Sequence, residues 1–447
     1  MSDLLLGELK DEKFDPRELA DRLSGFEPAD GAVALEILPA DAAAGAVELL
    51  SPPTAAEMLR RVEPARAQEL IARMAPKAAS NVLSAMAPDD RVDLLRRCQR
   101  KLHDSLVRDL GAAEAAETRQ LEQYPPRTAG GIMTTEVTAL PKKYTVEQAV
   151  AELRKIHQKS GQLFYVYVVD EEHRLVGVLS MRNLVLAENK SVLEEILIPH
   201  VKSVPATMDQ EEVARLMRSS RYLALPVVDA DGRLRGLITL DDVVDVIQEE
   251  ATEDVQRMFG AGAEERLSSP WQFSFSKRIW WLQVNLGTAF LAGLVVAMFG
   301  ATMQRLSFLA IYIPIVSSIG SNAGAQAMSV AIRGITGGRT DQKLLRHVLN
   351  RETIVGLLGG VVIGVTTAII AMIWQYHHGI ALGIVVGTSI IVTQTLACVS
   401  GAAIPFMMRK LGFDPAQSAT IFITTITDVA GFACLLGLAT ICAGWMR

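Results

Sequence analysis

The chain has 447 residues with 21% charged, a formal net charge of −6 and a mean hydropathy of +0.25. The acidic balance, with no basic block in residues 1–278, excludes a general nucleic-acid binder. Heavy charge beside positive hydropathy requires segregation: residues 1–278 read as water-soluble, and 279–447 are mostly apolar.

Residues 1–125 carry a proline repeat. Pro52, Pro64, Pro76 and Pro88 fall twelve apart, with Pro28 and Pro39 leading in at nearly that spacing. Proline suits the first helical turn, where its missing N–H costs nothing. The repeat predicts short helices stacked into a superhelix, each burying its apolar stripe on its neighbours, as a regulatory or docking domain. Asp89, Asp90 and Asp93 could help hold a cation, but an exposed acidic face is the first expectation for them. The N-terminus is acidic and shows no signal-peptide pattern.

Residues 126–246 repeat themselves at an offset of 59. Val168–Val169–Asp170, Arg174–Leu175, Gly177 and Ser180 match Val227–Val228–Asp229, Arg233–Leu234, Gly236 and Thr239. Each copy reads as a helix, a strand, a polar turn, a strand and a helix, with Asp231–Gly232 turning the second hairpin. This resembles a tandem pair of α/β cystathionine-β-synthase (CBS) domains. The resemblance implies binding of ATP or another adenosine nucleotide, with Thr239 and Asp242 as the ribose-binding pair. The first copy departs from that pattern with Ser180 and Asn183, and a short acid after a strand also suits a helix cap.

Residues 247–278 read as an acidic connecting helix and linker. From Asp241 onward, Asp241, Asp242, Asp245, Glu249, Glu250, Glu253 and Asp254 crowd a helical stretch with no Lys or Arg before Arg257. Like charges three and four apart destabilise an isolated helix, so a compensating divalent cation is expected there. Mg²⁺, which keeps several waters and takes one or two carboxylates, suits such scattered acids.

Residues 279–447 read as an α-helical membrane domain of five spans: 279–302, 308–332, 354–374, 380–408 and 417–444. Arg333, Arg339, Lys343, Arg346 and Arg351 follow the second span, and Arg409 and Lys410 the fourth. Positive-inside logic places the N-terminus in the cytosol and the C-terminus outside. Gly356, Gly360 and Gly364 permit close helix contact in the third span. In the second, the polar run from Ser317 to Gln326 suggests backbone facing a cavity, with Asn322 offering a neutral oxygen. His377–His378 reads as polar punctuation on an outer loop. Asp428 is the one carboxylate inside these runs, and intramembrane acids default to function. Thr420, Thr424 and Asp428 stack on one helix face, an arrangement suited to a hydrated cation.

The whole order resembles the MgtE family of magnesium channels. The motifs are Thr128–Ala129–Gly130–Gly131–Ile132–Met133–Thr134, Glu250–Ala251–Thr252–Glu253–Asp254, Gly320–Ser321–Asn322–Ala323–Gly324–Ala325–Gln326, Asp414–Pro415 and Thr427–Asp428–Val429–Ala430–Gly431. The resemblance implies a homodimer in the bacterial cytoplasmic membrane, with one pore on the two-fold axis. Asp428 would face the ion there, and Thr424 would lend its backbone carbonyl. It also implies closure when cytosolic Mg²⁺ binds among Asp241, Asp242, Asp245, Glu250, Glu253 and Asp254. The family form has Gly where Ser321 stands, Asn where Ala325 stands, and Ser-Asn-Pro where Ala419–Thr420–Ile421 follows Ser418; these departures bear on selectivity. Transport of Co²⁺ or Mn²⁺, or a non-conducting nucleotide sensor, are the alternatives. No P-loop, nucleophile motif or catalytic metal spacing indicates an enzyme, and the four cysteines have no metal-ligand spacing.

Overall fold

The computed structural model describes residues 15–157, 165–220, 222–265, 269–336, 342–375, 379–417 and 419–445. It divides into two compact units, Met1–Gln248 and Glu249–Arg447.

The first unit begins with helices α1 (Pro16–Ser24), α2 (Pro28–Ile37), α3 (Ala40–Leu49), α4 (Pro52–Leu59), α5 (Pro64–Arg73), α6 (Pro76–Ala85), α7 (Pro88–Arg97), α8 (Arg100–Asp109) and α9 (Ala112–Leu121). Pro28, Pro52, Pro64, Pro76 and Pro88 each open a helix, and Pro39 immediately precedes one. Each helix packs on the next but one, from α1 on α3 to α7 on α9, giving the superhelix. The apolar period equals the proline period. Leu35, Val47, Leu59, Ile71, Leu83, Leu95 and Val107 recur every twelve residues and are all buried. The same turn of each helix therefore supplies the core.

Two small sheets follow. The first combines β1 (Ala139–Pro141), α10 (Val146–His157), β2 (Val166–Val169), β3 (Leu175–Leu179), α11 (Met181–Leu186), α12 (Leu193–Ile196) and β4 (Ile198–Pro199), in strand order β1-β2-β3-β4. The second combines β5 (Val204–Pro205), α13 (Gln210–Ser220), β6 (Ala224–Val228) and β7 (Leu234–Thr239), in order β5-β6-β7, followed by α14 (Leu240–Met258). The duplication extends to register: Val168 faces Gly177 and Val227 faces Gly236 across antiparallel pairs. It extends to the turns as well. Asp170 Oδ1 accepts from the Glu172 and Arg174 amides, and Asp229 Oδ1 from the Asp231 and Arg233 amides. His173 (φ 63°) and Gly232 (φ 79°) occupy the same left-handed position. The first copy thus makes the turn with a residue that pays strain where the second uses glycine.

In the second unit, α15 (Trp271–Met298), α16 (Gly300–Arg305), a 3₁₀ turn (Ser307–Ile311), α17 (Tyr312–Thr336), α18 (Gln342–Trp374), α19 (Gly379–Lys410) and α20 (Ala419–Ile441) follow the end of α14. Among the described residues, five helical segments are long and apolar enough to cross a membrane. The helices overrun the apolar runs. The first starts at Trp271 rather than 279, and α18 starts at Gln342 rather than 354, so Arg346 and Arg351 are helical. Charged residues end a hydropathy window without ending backbone hydrogen bonding. Glu352 therefore belongs to a long helix, where it is buried and receives the Arg351 guanidinium at 2.5 Å. Asp428 is thus not the sole carboxylate on these helices, but among the described residues it is the one without a basic partner. Arg339, His377, His378 and Ser418 lie outside the described residues.

The three spaced glycines of α18 behave as expected. A Cβ at Gly356 would lie 2.9 Å from Thr395 Cα, and one at Gly360 would lie 3.0 Å from Ile391 Cα. The α18 and α19 backbones therefore touch, and a larger residue would separate them.

Candidate functional site

α20 carries Thr420, Thr424 and Asp428 along one face. Asp428 is half-buried, and its Oδ1 accepts a hydrogen bond from Ser317 Oγ of α17 at 2.5 Å. Among the described residues no Lys or Arg pairs with it. A carboxylate at membrane depth whose donor is a neutral hydroxyl has no cationic side chain among the described residues to offset its charge.

Below it, three hydroxyls are ordered. Thr424 Oγ1 turns back onto the Thr420 carbonyl at 2.9 Å. The Thr424 carbonyl accepts Thr427 Oγ1 at 3.0 Å, and that same Oγ1 lies 3.3 Å from Ser321 Oγ. The Thr427 hydroxyl thus lies between the Thr424 carbonyl and the Ser321 hydroxyl. Asn322 is exposed on α17, in line with exposed Ser318 and Gln326 at four-residue spacing. A cavity of 610 Å³ is bordered by Phe259, Trp281, Leu282, Thr420 and Thr424. Its rim is tied to the acidic helix, because Thr420 Oγ1 donates to the Met258 carbonyl at 2.5 Å.

The cytosolic-type acids fall into two groups. In the first unit, Asp89 and Asp90 are not on an exposed face as expected; only Asp93 is exposed. The first turn of α7 is drawn in against the start of α14, and burial overrides the solvation preference of the charges. Asp90 is pushed up to about 8 by burial, then by Asp89, against the lowering effect of Arg60. Burial also raises Asp89 and Asp242, and each faces carboxylate neighbours: Asp93 beside Asp89, Asp89 and Asp241 beside Asp242. Asp89 Oδ1 is buried without a hydrogen-bond partner. Arg60 Nε stands 3.6 Å from Asp90, and its Nη1 lies 3.9 Å from Asp241. Asp245 is exposed.

In the second unit, Glu253 is buried and Glu250 and Asp254 are half-buried. The Arg257 guanidinium pairs with both Glu253 and Asp414. Among the described residues no three His, Cys, Asp or Glu side chains converge as a metal-holding group. The predicted acids are thus brought near one another in part, without forming a cage.

Thr239 and Asp242 do meet. The Thr239 amide donates to Asp242 Oδ2 at 3.2 Å, and the Thr239 hydroxyl contacts the same oxygen. The carboxylate thus reaches back to the N-cap amide at the start of α14, as in one half of a capping box, while the Thr239 hydroxyl also contacts Asp241. Both contacts to Asp242 use one carboxylate oxygen, and Oδ1 remains for a further donor. In the first copy, Ser180 caps α11 through the Arg182 backbone amide, and the Asn183 side-chain Nδ2 donates to the Ile196 carbonyl at 3.2 Å.

Sequence reasoning names the Ser317–Gln326 run, and Ser321 as a departure from the family form, without singling out Ser317 or Thr427. The signal was available: Ser317 and Ser321 are four apart, as are Thr420, Thr424 and Asp428, so each set forms a polar line on its own helix. Pairing the two lines required their register, which no local pattern carries.

Comparison with known proteins places these features in context. Residues 313–438 match the model of a family described as MgtE, divalent cation transporter. Residues 26–127 match the MgtE intracellular N domain, and 129–190 and 193–249 match CBS domains. The chain is 35% identical to the magnesium transporter MgtE of Enterococcus faecalis, covering 73% of this chain and 72% of the relative. It is 34% identical to the protein of that name from Thermus thermophilus, covering 78% of each. Among solved structures, the cytosolic domain of the Mg²⁺ channel MgtE in complex with ATP aligns at 34% identity and a TM-score of 0.51. It covers 55% of this chain and 100% of that one.

Proposed function

This chain belongs to the MgtE family of divalent cation transporters, and we propose that it conducts Mg²⁺ through a pore centred on Asp428. It is a multi-pass membrane protein and a transporter rather than an enzyme. The observation that carries the reading is Asp428 itself, half-buried among apolar helices and held by the Ser317 hydroxyl without a basic partner among the described residues. Such a charge is tolerated where a cation and its water pass beside it. Stripping Mg²⁺ of its water is costly, so the ion meets Asp428 largely hydrated, with the Thr424 carbonyl and Asn322 as further oxygens.

The exposed line Ser318, Asn322 and Gln326 would meet lipid in a lone chain. A second copy covering it about a two-fold axis resolves that cost, and places two Asp428 carboxylates at one pore. The N-terminus is cytosolic and the C-terminus external in this arrangement, with the basic segment around Arg346 and Arg351 on the cytosolic side.

Closure follows from the acids. Asp89, Asp90 and Asp242 are carboxylates whose charged forms burial and mutual repulsion disfavour. Cytosolic Mg²⁺ bound among these, Asp241 and Asp245, and among Glu250, Glu253 and Asp254, offsets that repulsion. The ion thereby favours the conformation in which the end of α14 rests on Thr420. An adenosine nucleotide binds the second CBS copy, its ribose on Thr239 and the remaining oxygen of Asp242.

The test is Mg²⁺ flux into proteoliposomes holding the purified chain, with Co²⁺ and Mn²⁺ as competitors. Saturable Mg²⁺ flux that excess Mn²⁺ leaves largely intact is expected. Absence of flux, or flux carried by Co²⁺ or Mn²⁺ in preference, overturns the reading.

A further inference from the structure

Ser317 contributes more than a tether. Its Oγ lies 2.5 Å from Asp428 Oδ1, and among the described residues it is the one side chain that donates to this carboxylate. The contact is fixed by the packing one turn further along both helices. A Cβ at Gly320 would lie 2.8 Å from Thr393 Cγ2 and 3.3 Å from Thr427 Cβ. One at Gly431 would lie 3.0 Å from Val316 Cγ1 and 3.1 Å from Thr393 Cγ2. Thr393 of α19 is thus wedged between the two glycines, and Val316, next to Ser317, is fully buried. α17 and α20 therefore approach closely on both sides of the contact, which keeps the Ser317 hydroxyl within reach of the Asp428 carboxylate.

A carboxylate with one oxygen committed presents the other, Oδ2, to the pore. The two common hard divalent ions differ in how they use a carboxylate. Ca²⁺ accepts six to eight oxygens and readily takes both oxygens of one carboxylate, whereas Mg²⁺ holds near-octahedral geometry and keeps its waters. We propose that the Ser317 hydroxyl is a specificity-determining positioning residue: by occupying one oxygen of Asp428, it restricts the pore carboxylate to one-oxygen contact, which suits hydrated Mg²⁺ and disfavours Ca²⁺. This rests on Asp428 being the pore ion site and adds the device by which that site separates Mg²⁺ from Ca²⁺.

The experiment uses the full-length chain in proteoliposomes, reading Mg²⁺ flux and the Ca²⁺ concentration that halves it. Ser317→Ala frees Oδ1 without disfavouring the helix. Its half-blocking Ca²⁺ concentration is expected to fall by about tenfold, the lower end of what a hydrogen bond to a charged group is worth. Ser317→Thr, which keeps the hydroxyl, restores the parental value. Ser317→Cys, with a similar volume and a weaker donor, shifts it in the same direction by less. A Ser317→Ala chain whose Ca²⁺ block stays within about twofold of the parent, or a Ser317→Thr chain that shifts as far as Ser317→Ala, overturns the proposal. Asp428→Asn, run alongside, separates the two levels. Lost flux there with unmoved Ca²⁺ block in Ser317→Ala removes only the role of Ser317, and parental flux in Asp428→Asn removes the pore site and this proposal together.

Discussion

The Thr420 hydroxyl, in the first turn of α20, donates to the Met258 carbonyl at the end of α14 across 2.5 Å. The last carbonyls of a helix lack intrahelical partners, so this bond satisfies one of them with a side chain of α20. Arg257, one residue earlier, pairs with Asp414 just before α20. The end of α14 is therefore fastened to the start of α20 at two adjacent points.

Loosening that fastening should weaken closure while leaving the Asp428 carboxylate in place. Thr420→Val removes one hydrogen bond, worth about 1 kcal/mol. In patch recordings, the internal Mg²⁺ that half-closes the channel should rise by about fivefold. Arg257→Gln should act in the same direction. Unchanged closure in both variants would show that this contact does not report the closed state.

The acid cluster of α7 and α14 gives a pH dependence with a definite sign. Asp90 titrates at about 8 in the fold, against an ordinary carboxylate value of 3.8. The fold therefore binds more protons than the unfolded chain between those values, so stability falls as pH rises through that window. Without divalent ions, amide exchange of α7 in the full chain should quicken as pH rises from about 6 to about 8 by more than the intrinsic base-catalysed rate. Added Mg²⁺ should remove most of the excess, and Asp90→Asn should remove it without Mg²⁺.

A buried ion pair holds the far side of the same helix. Arg91, 2% exposed, donates from Nη2 to Glu117 at 2.6 Å and from Nε to Thr118 Oγ1 at 3.0 Å. Glu117 is partly open to solvent, which reduces what the pair is worth. Arg91→Met should lower the local stability of the α7–α9 contact by about 2 kcal/mol. That loss would be read as faster exchange in α9, with no change in the ion preference of the pore.

Nucleotide binding should be asymmetric between the CBS copies. Ser180 and Asn183 are spent on capping α11 and on the Ile196 carbonyl. Thr239 and Asp242 share one carboxylate oxygen and leave the other. In calorimetry with ATP, Thr239→Val should weaken binding by about tenfold, and Ser180→Ala should change it little.

The layout was legible because its signals are periodic. The twelve-residue proline spacing coincides with the buried series from Leu35 to Val107, and the offset of 59 carries through to strand register and turn geometry. Helix ends were less legible: Gln342–Trp374 begins in a charged segment that hydropathy assigns to a loop. At the candidate site, Asp428 stood out because a lone acid in an apolar run is costly and rare. Ser317 did not, because a serine on a helix is unremarkable until another helix brings a carboxylate to it. The burial of Asp89 and Asp90 is illegible in the sequence for a similar reason. Two adjacent acids at a helix start favour the N-terminal dipole in solvent, and here the apolar packing of Val92 with Val243 and Val246 draws them inward against the repulsion of Asp242.

The central claim is that Asp428 is the ion site, and Mg²⁺ flux by the Asp428→Asn chain in proteoliposomes tests it most directly. Asparagine keeps the shape and removes the charge, so the protein should assemble as the parent does while flux falls to the level of empty vesicles. Flux at the parental rate from a correctly assembled Asp428→Asn chain would contradict the account.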